Sequence, residues 1–189
     1  MAEINTSKKR KTELSSHNIS LRRVSKVVKG GKRFSFAALA VVGDEKGRIG
    51  YGTGKAKEVS GAMKKAEEAA SRTLYRIPLK EGRTIHGDAQ AKFGGTKVVI
   101  RSCPQGKGVV AGGAMRSIFE ALGVKDIVAK IIGSTNPHSV IRATLKALQS
   151  TESPRSVALK RGKKLSEIFQ KKQDQDKKIS GQEKKENEK

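Results

Sequence analysis

Cysteine, aromatic residues and acid are all scarce in this sequence. Its 189 residues hold one cysteine, no tryptophan, two tyrosines and five phenylalanines. A single thiol, Cys103, excludes an internal disulfide and a zinc ribbon. The histidines, His17, His86 and His138, share no ligand spacing, so neither a metal nor another cofactor is expected. With so few rings, any core must be built from Val, Ile, Leu, Ala and the five Phe. Long apolar runs are missing as well: the longest, "FAALAVV" from Phe36 to Val42, is far short of a bilayer span. No secretory segment opens the chain, and Glu3 and Glu13 sit badly in an organellar transit peptide. A reducing, cytoplasmic setting is the expectation.

What the chain has in excess is base. Lys and Arg number 41 against 18 Asp and Glu, a net charge of +23. The excess is not confined to the ends, because His17 to Leu159 alone carries 26 basic and 10 acidic residues. A fold this basic repels itself, and a polyanion is the usual partner that relieves the strain. Nucleic acid is the first candidate and an anionic membrane surface the second. Lys8-Lys9-Arg10-Lys11 reads as an RNA-touching arm rather than a nuclear signal.

Patterning divides the chain into five parts. Residues 1–16 are a polar, flexible arm, and residues 17–79 a small α+β domain. In the latter, "ISLRRVSKVV" is a strand, "KGGKR" a tight loop, "FSFAALAVVG" a buried strand, "DEKG" a hairpin turn and "RIGYGTG" the returning strand. A helix follows, its apolar residues recurring at Val59, Ala62, Met63, Ala66, Ala69, Ala70, Thr73 and Leu74. "IPLKEGR" is the boundary. Residues 80–153 form a second α+β domain with helices on one sheet face. Its strands are "TIHGDAQAKF", "TKVVIRSCP" and "DIVAKII". Its first helix lies in "GKGVVAGGAMRSIFEALG" and is closed by Gly123, and its second is capped by Asn136 ahead of Pro137. Residues 154–169 are a C-terminal helix. Residues 170–189 are lysine-rich with almost nothing apolar, and are read as disordered.

Two glycine segments invite a phosphate reading. Gly50-Tyr51-Gly52-Thr53-Gly54 is spaced G-x-G-x-G, not the G-x-G-x-x-G of a dinucleotide fold, and no Ser or Thr follows Gly54-Lys55 as a P-loop needs. Gly106-Lys107-Gly108 and Gly112-Gly113 fail similarly. The helix after the first segment carries Lys55, Lys57, Lys64 and Lys65 near its start, which suits a phosphodiester backbone. This arrangement is similar to the last strand and helix of double-stranded-RNA-binding domains, which read A-form RNA by shape. The bland reading is that the glycines only permit close strand–helix packing while the lysines face water. No nucleophile motif appears, and the acid pairs Asp44-Glu45 and Glu67-Glu68 sit on a turn and a helix face, so catalysis is not expected.

Taken together, "RVSKVVKGGKRFSFAALAVVGDEKGRIGYGTGKAKEV" and "GVVAGGAMRSIFEALGVKDIVAKIIGSTNPHSVIRATLKAL" resemble the two domains of ribosomal protein five of the bacterial small subunit. The resemblance spans residues 19–169. It implies an α+β fold with a double-stranded-RNA-binding-like first domain and a second domain containing a left-handed βαβ crossover, against the usual handedness. It also implies a structural protein that binds small-subunit rRNA and touches proteins four and eight of that subunit. Such a protein lies near the path by which messenger RNA enters, and it contributes to subunit assembly and decoding accuracy.

The family's "SKxxKGG" loop, where spectinomycin resistance arises, is here Ser25, Lys26, Lys29, Gly30 and Gly31. Lys32 follows where Arg is usual, keeping charge but losing a bidentate fork. The expected RNA contacts are these residues with Arg22, Arg23, Lys32 and Arg33. To them are added Lys55, Lys57, Lys64 and Lys65, and also Ser134, Thr135, Asn136 and Arg142. Gly108, Gly112, Gly113 and Arg116 are expected to face protein four, with Gly108 in a segment too tight for added volume. Two readings of other kinds remain: a free-standing regulatory double-stranded-RNA-binding module, and an enzyme of the same shape acting on RNA or nucleotides.

Overall fold

The computed structural model describes residues 14–168. Among these, ten strands and four helices follow one another, residues 165–168 are again helical, and all the strands lie in the compact unit that ends at Thr151. The first sheet is antiparallel in the order β1 (Ser15–Val28), β2 (Gly31–Gly43), β3 (Arg48–Ala56) and β4 (Leu74–Arg76). Helix α1 (Val59–Arg72) joins β3 to β4. A small hairpin follows, β5 (Leu79–Lys80) with β6 (Thr84–Ile85). The second sheet is ordered β7 (Ala89–Phe93), β8 (Thr96–Ser102), β10 (Ile127–Gly133), β9 (Val109–Val110). Only the β9–β10 pair is parallel, and it is joined through α2 (Gly113–Leu122) as a βαβ crossover. Helix α3 (Pro137–Gln149) completes the unit.

The alternation of the "FAALAVV" run assigns each face of β2. Ala38 and Ala40 meet Ala62 and Ala66 of α1, and Phe36, Ala56 and Met63 flank that contact. On the other side Leu39 and Val41 join Ile49, Ile118, Phe119, Leu122 and Ile141 in the main core. The strand is buried on both faces, which explains its continuous apolar run. Each large side chain buried there contributes about 1.5–3 kcal/mol.

Several expectations are corrected. β1 begins at Ser15, and the loop reduces to Lys29–Gly30, since Val28 already pairs with Gly31. A fourth strand, β4, lies where only the end of a helical stripe was expected. It forms because Thr73 ends α1 and Leu74 then pairs with Gly50. The boundary segment holds structure of its own, with Ile77 buried. "TIHGDAQAKF" is two strands separated at residues 86–88. Beyond Thr151, α4 (Pro154–Arg161) starts at a Ser153 cap and stops at Gly162, whose left-handed backbone breaks the single helix expected over 154–169. Residues 1–13 of the expected arm and the expected disordered tail lie outside the described residues.

Candidate nucleic-acid interface

The first glycine segment is not a loop. Gly50, Gly52 and Gly54 are alternate residues of β3, so all three point at one face, and α1 rests directly on them. An added Cβ on each would fall 2.3 Å from the carbonyl oxygens of Ala70, Ala66 and Ala62 respectively. The helix cannot come this close to any residue with a side chain. At the start of α1 stands Glu58, an acid with no capping hydrogen bond, which disfavours an anion there. The glycines therefore serve packing, and the phosphate-cradle reading fails at this point.

The lysines around them assemble differently from the expectation. Beyond Phe36, which pairs with Ala56 at the end of β3, the β1–β2 hairpin continues alone as an arm. Lys26 pairs with Arg33 and Val27 with Lys32 along it, and Lys29 and Gly30 form its tip. Arg22, Arg23, Ser25, Lys26, Lys29, Gly30, Gly31, Lys32 and Arg33 are all exposed. The Arg23 guanidinium lies 3.7 Å from the centre of the Phe34 ring, which stiffens the arm's base. One surface groove brings Ser25 and Lys26 of the arm together with Lys55, Lys57 and Lys65. Lys64 points elsewhere, into a depression it shares with Glu67, Glu68 and Arg72. The sequence grouped four lysines by helix position; the fold keeps three and adds Lys26.

A second basic cluster forms at the start of α3. Ser134 and Asn136 hold structural positions there. The Thr96 hydroxyl donates to the Ser134 carbonyl at 2.7 Å, and the Asn136 side chain accepts from the His138 backbone N–H at 3.3 Å, capping the helix. Thr135 is exposed. Arg22 of β1 and Arg142 of α3 both lie close enough to His138 to act on its charge. Burial first, then these two guanidiniums, lower the imidazole pKa from its ordinary value near 6.5. His138 was missed as a site residue because the chain separates it from Arg22 by more than a hundred positions. No spacing rule reveals such a neighbour.

The second glycine segment is organised by Asp126, another residue the sequence did not single out. Its carboxylate accepts from the backbone N–H groups of Gly106 at 3.0 Å and Gly108 at 2.9 Å, and pairs with Arg83. The Gly108 amide and the Arg83 guanidinium hold this acid below the usual carboxylate range, against the opposing effect of burial. The loop is thus an anion nest filled by the protein's own carboxylate. Gly112 begins α2, and Arg116 donates to the Val109 carbonyl at 3.1 Å while facing Glu120. Gly113 is exposed, and nothing lies within 4 Å of a Cβ at Gly108, so that position is not crowded as expected.

A double-stranded-RNA-binding-like sheet and helix, a basic arm and a second α+β half joined by a βαβ crossover make a specific combination. The ribosomal protein S5 N-terminal domain family matches residues 14–78, and the ribosomal protein S5 C-terminal domain family matches residues 91–161. The chain is 56% identical over 159 residues to small ribosomal subunit protein uS5 of Ruegeria sp. (strain TM1040), covering 84% of this chain and 85% of that one. It is 58% identical over 151 residues to the uS5 protein of Granulibacter bethesdensis, covering 80% of each. With the uS5 protein of Gluconobacter oxydans it shares 56% over 155 residues, 82% of this chain and 81% of that one. These relatives are named as ribosomal proteins, not enzymes. Two domain families matched in order, over most of the described residues, place the chain in the ribosomal protein S5 family.

Proposed function

We propose that the chain is a structural, non-catalytic constituent of the small ribosomal subunit that binds small-subunit rRNA in the cytoplasm. The observation that carries this reading is the convergence of Lys26, Lys55, Lys57 and Lys65 on one groove beside the basic arm, with no carboxylate lining it. Side chains of this kind, drawn from three elements, track a phosphodiester backbone and read its shape. The arm reaches rRNA near the spectinomycin site, and Arg22, Thr135, His138 and Arg142 form a second contact. Gly112, Gly113 and Arg116 face protein four; protein eight is the other neighbour. The same reading puts the chain near the path of incoming messenger RNA and gives it a share in assembly and decoding accuracy, and the family resemblance supports it. Residues 17–79 and 80–153 are the two functional domains on this reading, with the arm before them and the helix and tail after.

Sedimentation tests it directly. A tagged chain should travel with small subunits in moderate salt and be recovered from their fractions. A chain that runs free while remaining folded belongs to a regulator or an enzyme instead.

A further inference from the structure

Both tyrosines of the chain line a single groove. Tyr51 of β3, Tyr75 of β4 and Phe93 at the end of β7 form one side; Arg142, Leu145, Lys146 and Gln149 of α3 form the other. The α3 residues are spaced i, i+3, i+4, i+7, a single helical stripe. Tyr75 stands opposite Ile49 in the sheet, and Tyr51 follows Ile49 by two, so the two rings share the face turned away from α1. Both rings are half-buried. Neither hydroxyl has a hydrogen-bond partner among the described residues, and neither is among their buried unsatisfied atoms, so both open to solvent. The Arg142 guanidinium lies 5.3 Å from the centre of Phe93. No carboxylate lines the groove.

The composition of this wall restricts the occupant. Leucine or valine would seal a seam between sheet and helix, and an RNA duplex hides its base faces within its own stack. The groove lacks a glycine cradle for a free nucleotide's phosphates. The exposed Phe93 ring and the open edges of two half-buried tyrosines, beside two cations, suit a base with its phosphates still attached to a chain. We propose that the groove takes one unpaired nucleotide of a structured RNA, its base against the aromatic wall and its phosphates beside Arg142 and Lys146. This rests on the RNA-binding reading above and adds a preference for unstacked bases at a site separate from the lysine groove.

Tyrosine emission reports on this groove alone, because the chain has no tryptophan and no third tyrosine. The full chain is titrated with an oligoadenylate of about 12 residues and with an RNA duplex of the same length, binding being followed independently by anisotropy. The oligoadenylate should quench tyrosine emission, and the duplex should bind without quenching. Phe93→Leu, which keeps apolar bulk but removes a ring, should weaken oligoadenylate binding roughly 5- to 150-fold, the range expected for loss of one stacking partner. Lys146→Gln should also weaken it, and both variants should leave duplex affinity unchanged. Equal quenching by the two RNAs, or oligoadenylate binding without quenching, overturns the proposal; should Phe93→Leu not fold, the parent chain's emission decides. Binding of neither RNA sinks the RNA-binding reading itself. Quenching by an added small-subunit protein, with no response to either RNA, gives the groove to a protein partner.

Discussion

A Cβ placed on Gly123 would lie 2.0 Å from the carbonyl oxygen of Glu45. Gly123 ends α2 in the left-handed conformation, and Glu45 is in the β2–β3 turn more than seventy residues earlier. The same junction carries two hydrogen bonds, from Glu45 N–H to the Ala121 carbonyl at 3.1 Å and from Gly47 N–H to the Leu122 carbonyl at 3.2 Å. The turn thus satisfies carbonyls that the end of a helix leaves unpaired. Asp44 braces it: its carboxylate accepts from the backbone N–H groups of Lys46 and Arg48 and pairs with the Arg48 side chain at 2.6 Å.

Gly123→Ala should therefore cost more than left-handed backbone strain alone. Gly82 provides the comparison, since its φ is also positive, at 65°, and nothing lies within 4 Å of its missing Cβ. Gly82→Ala should lose about 1–2 kcal/mol, and Gly123→Ala about 1–3 kcal/mol beyond that. Urea midpoints of the two variants compare them; equal losses would mean the turn does not press on α2.

Gly52→Ala should be worse. Its Cβ would meet the Ala66 oxygen at 2.3 Å and the Ala70 nitrogen at 2.4 Å, so α1 must lift from the sheet along its length. A loss of at least ~3 kcal/mol is expected, against under ~1 kcal/mol for Thr53→Ala on the exposed side. A mild Gly52→Ala variant would contradict the close glycine–helix packing.

The RNA reading has a salt signature. Replacing Lys26, Lys55, Lys57 and Lys65 by Gln should reduce the slope of log affinity against log salt by roughly 0.7–0.9 for each phosphate that is no longer neutralised. Lys64→Gln should change it little, because Lys64 shares its depression with Glu67 and Glu68. Matching effects at Lys64 and Lys65 would show that RNA does not follow the groove.

Gly30→Asp probes the tip of the arm. The glycine has a φ of 92° in open space, so the change costs local strain without a clash; on the RNA-binding reading it also brings a negative charge beside phosphates. Subunits carrying it should assemble and translate but resist spectinomycin. Unaltered drug sensitivity in a translation assay would remove the arm from that site.

His138 should give the fold a pH dependence that sets in as pH falls below about 6.5. Its native pKa is lowered by burial and by Arg22 and Arg142, so the unfolded chain takes up a proton first as pH falls. Stability is undiminished by this residue above about 6.5 and is lost as pH drops from there through the lowered native value. His138→Gln should flatten that part of the curve in thermal melts. Added RNA phosphates should flatten it too, by favouring the charged imidazole. An identical curve for the variant would mean that neither burial nor the two arginines act on His138.

What is legible in the sequence depends on the range of each feature. Gly123 as a helix end, Asn136 as a cap and the buried strand in "FSFAALAVVG" follow from local pattern, and they agree with the fold. β4 escaped notice because three residues make no period, and because Leu74 looked like the last member of a helical stripe. The glycines of β3 were visible, but their purpose depends on α1 resting directly against them, and only the fold shows that. Lys26 joined Lys55, Lys57 and Lys65, and Arg22 joined His138, through strand register and helix docking over long chain separations. Charge density pointed to the partner, while the grouping of charges into two clusters needed the assembled sheet.

The arm has a mechanical consequence. Five register pairs, from Val24 with Ser35 to Val28 with Gly31, extend past the end of β3 with no third strand beside them among the described residues. A lone two-stranded ribbon is barely stable by itself, and at about 3.4 Å per residue this one is a lever of roughly 15 Å. A bend of about 10° at its base carries the tip about 3 Å on that lever length, comparable with a hydrogen-bond distance. On the RNA-binding reading, contacts at Lys29 and Gly30 therefore depend on whatever grips the arm, and a small rotation of the gripped tip would be passed to the sheet on which α1 and the main core are built.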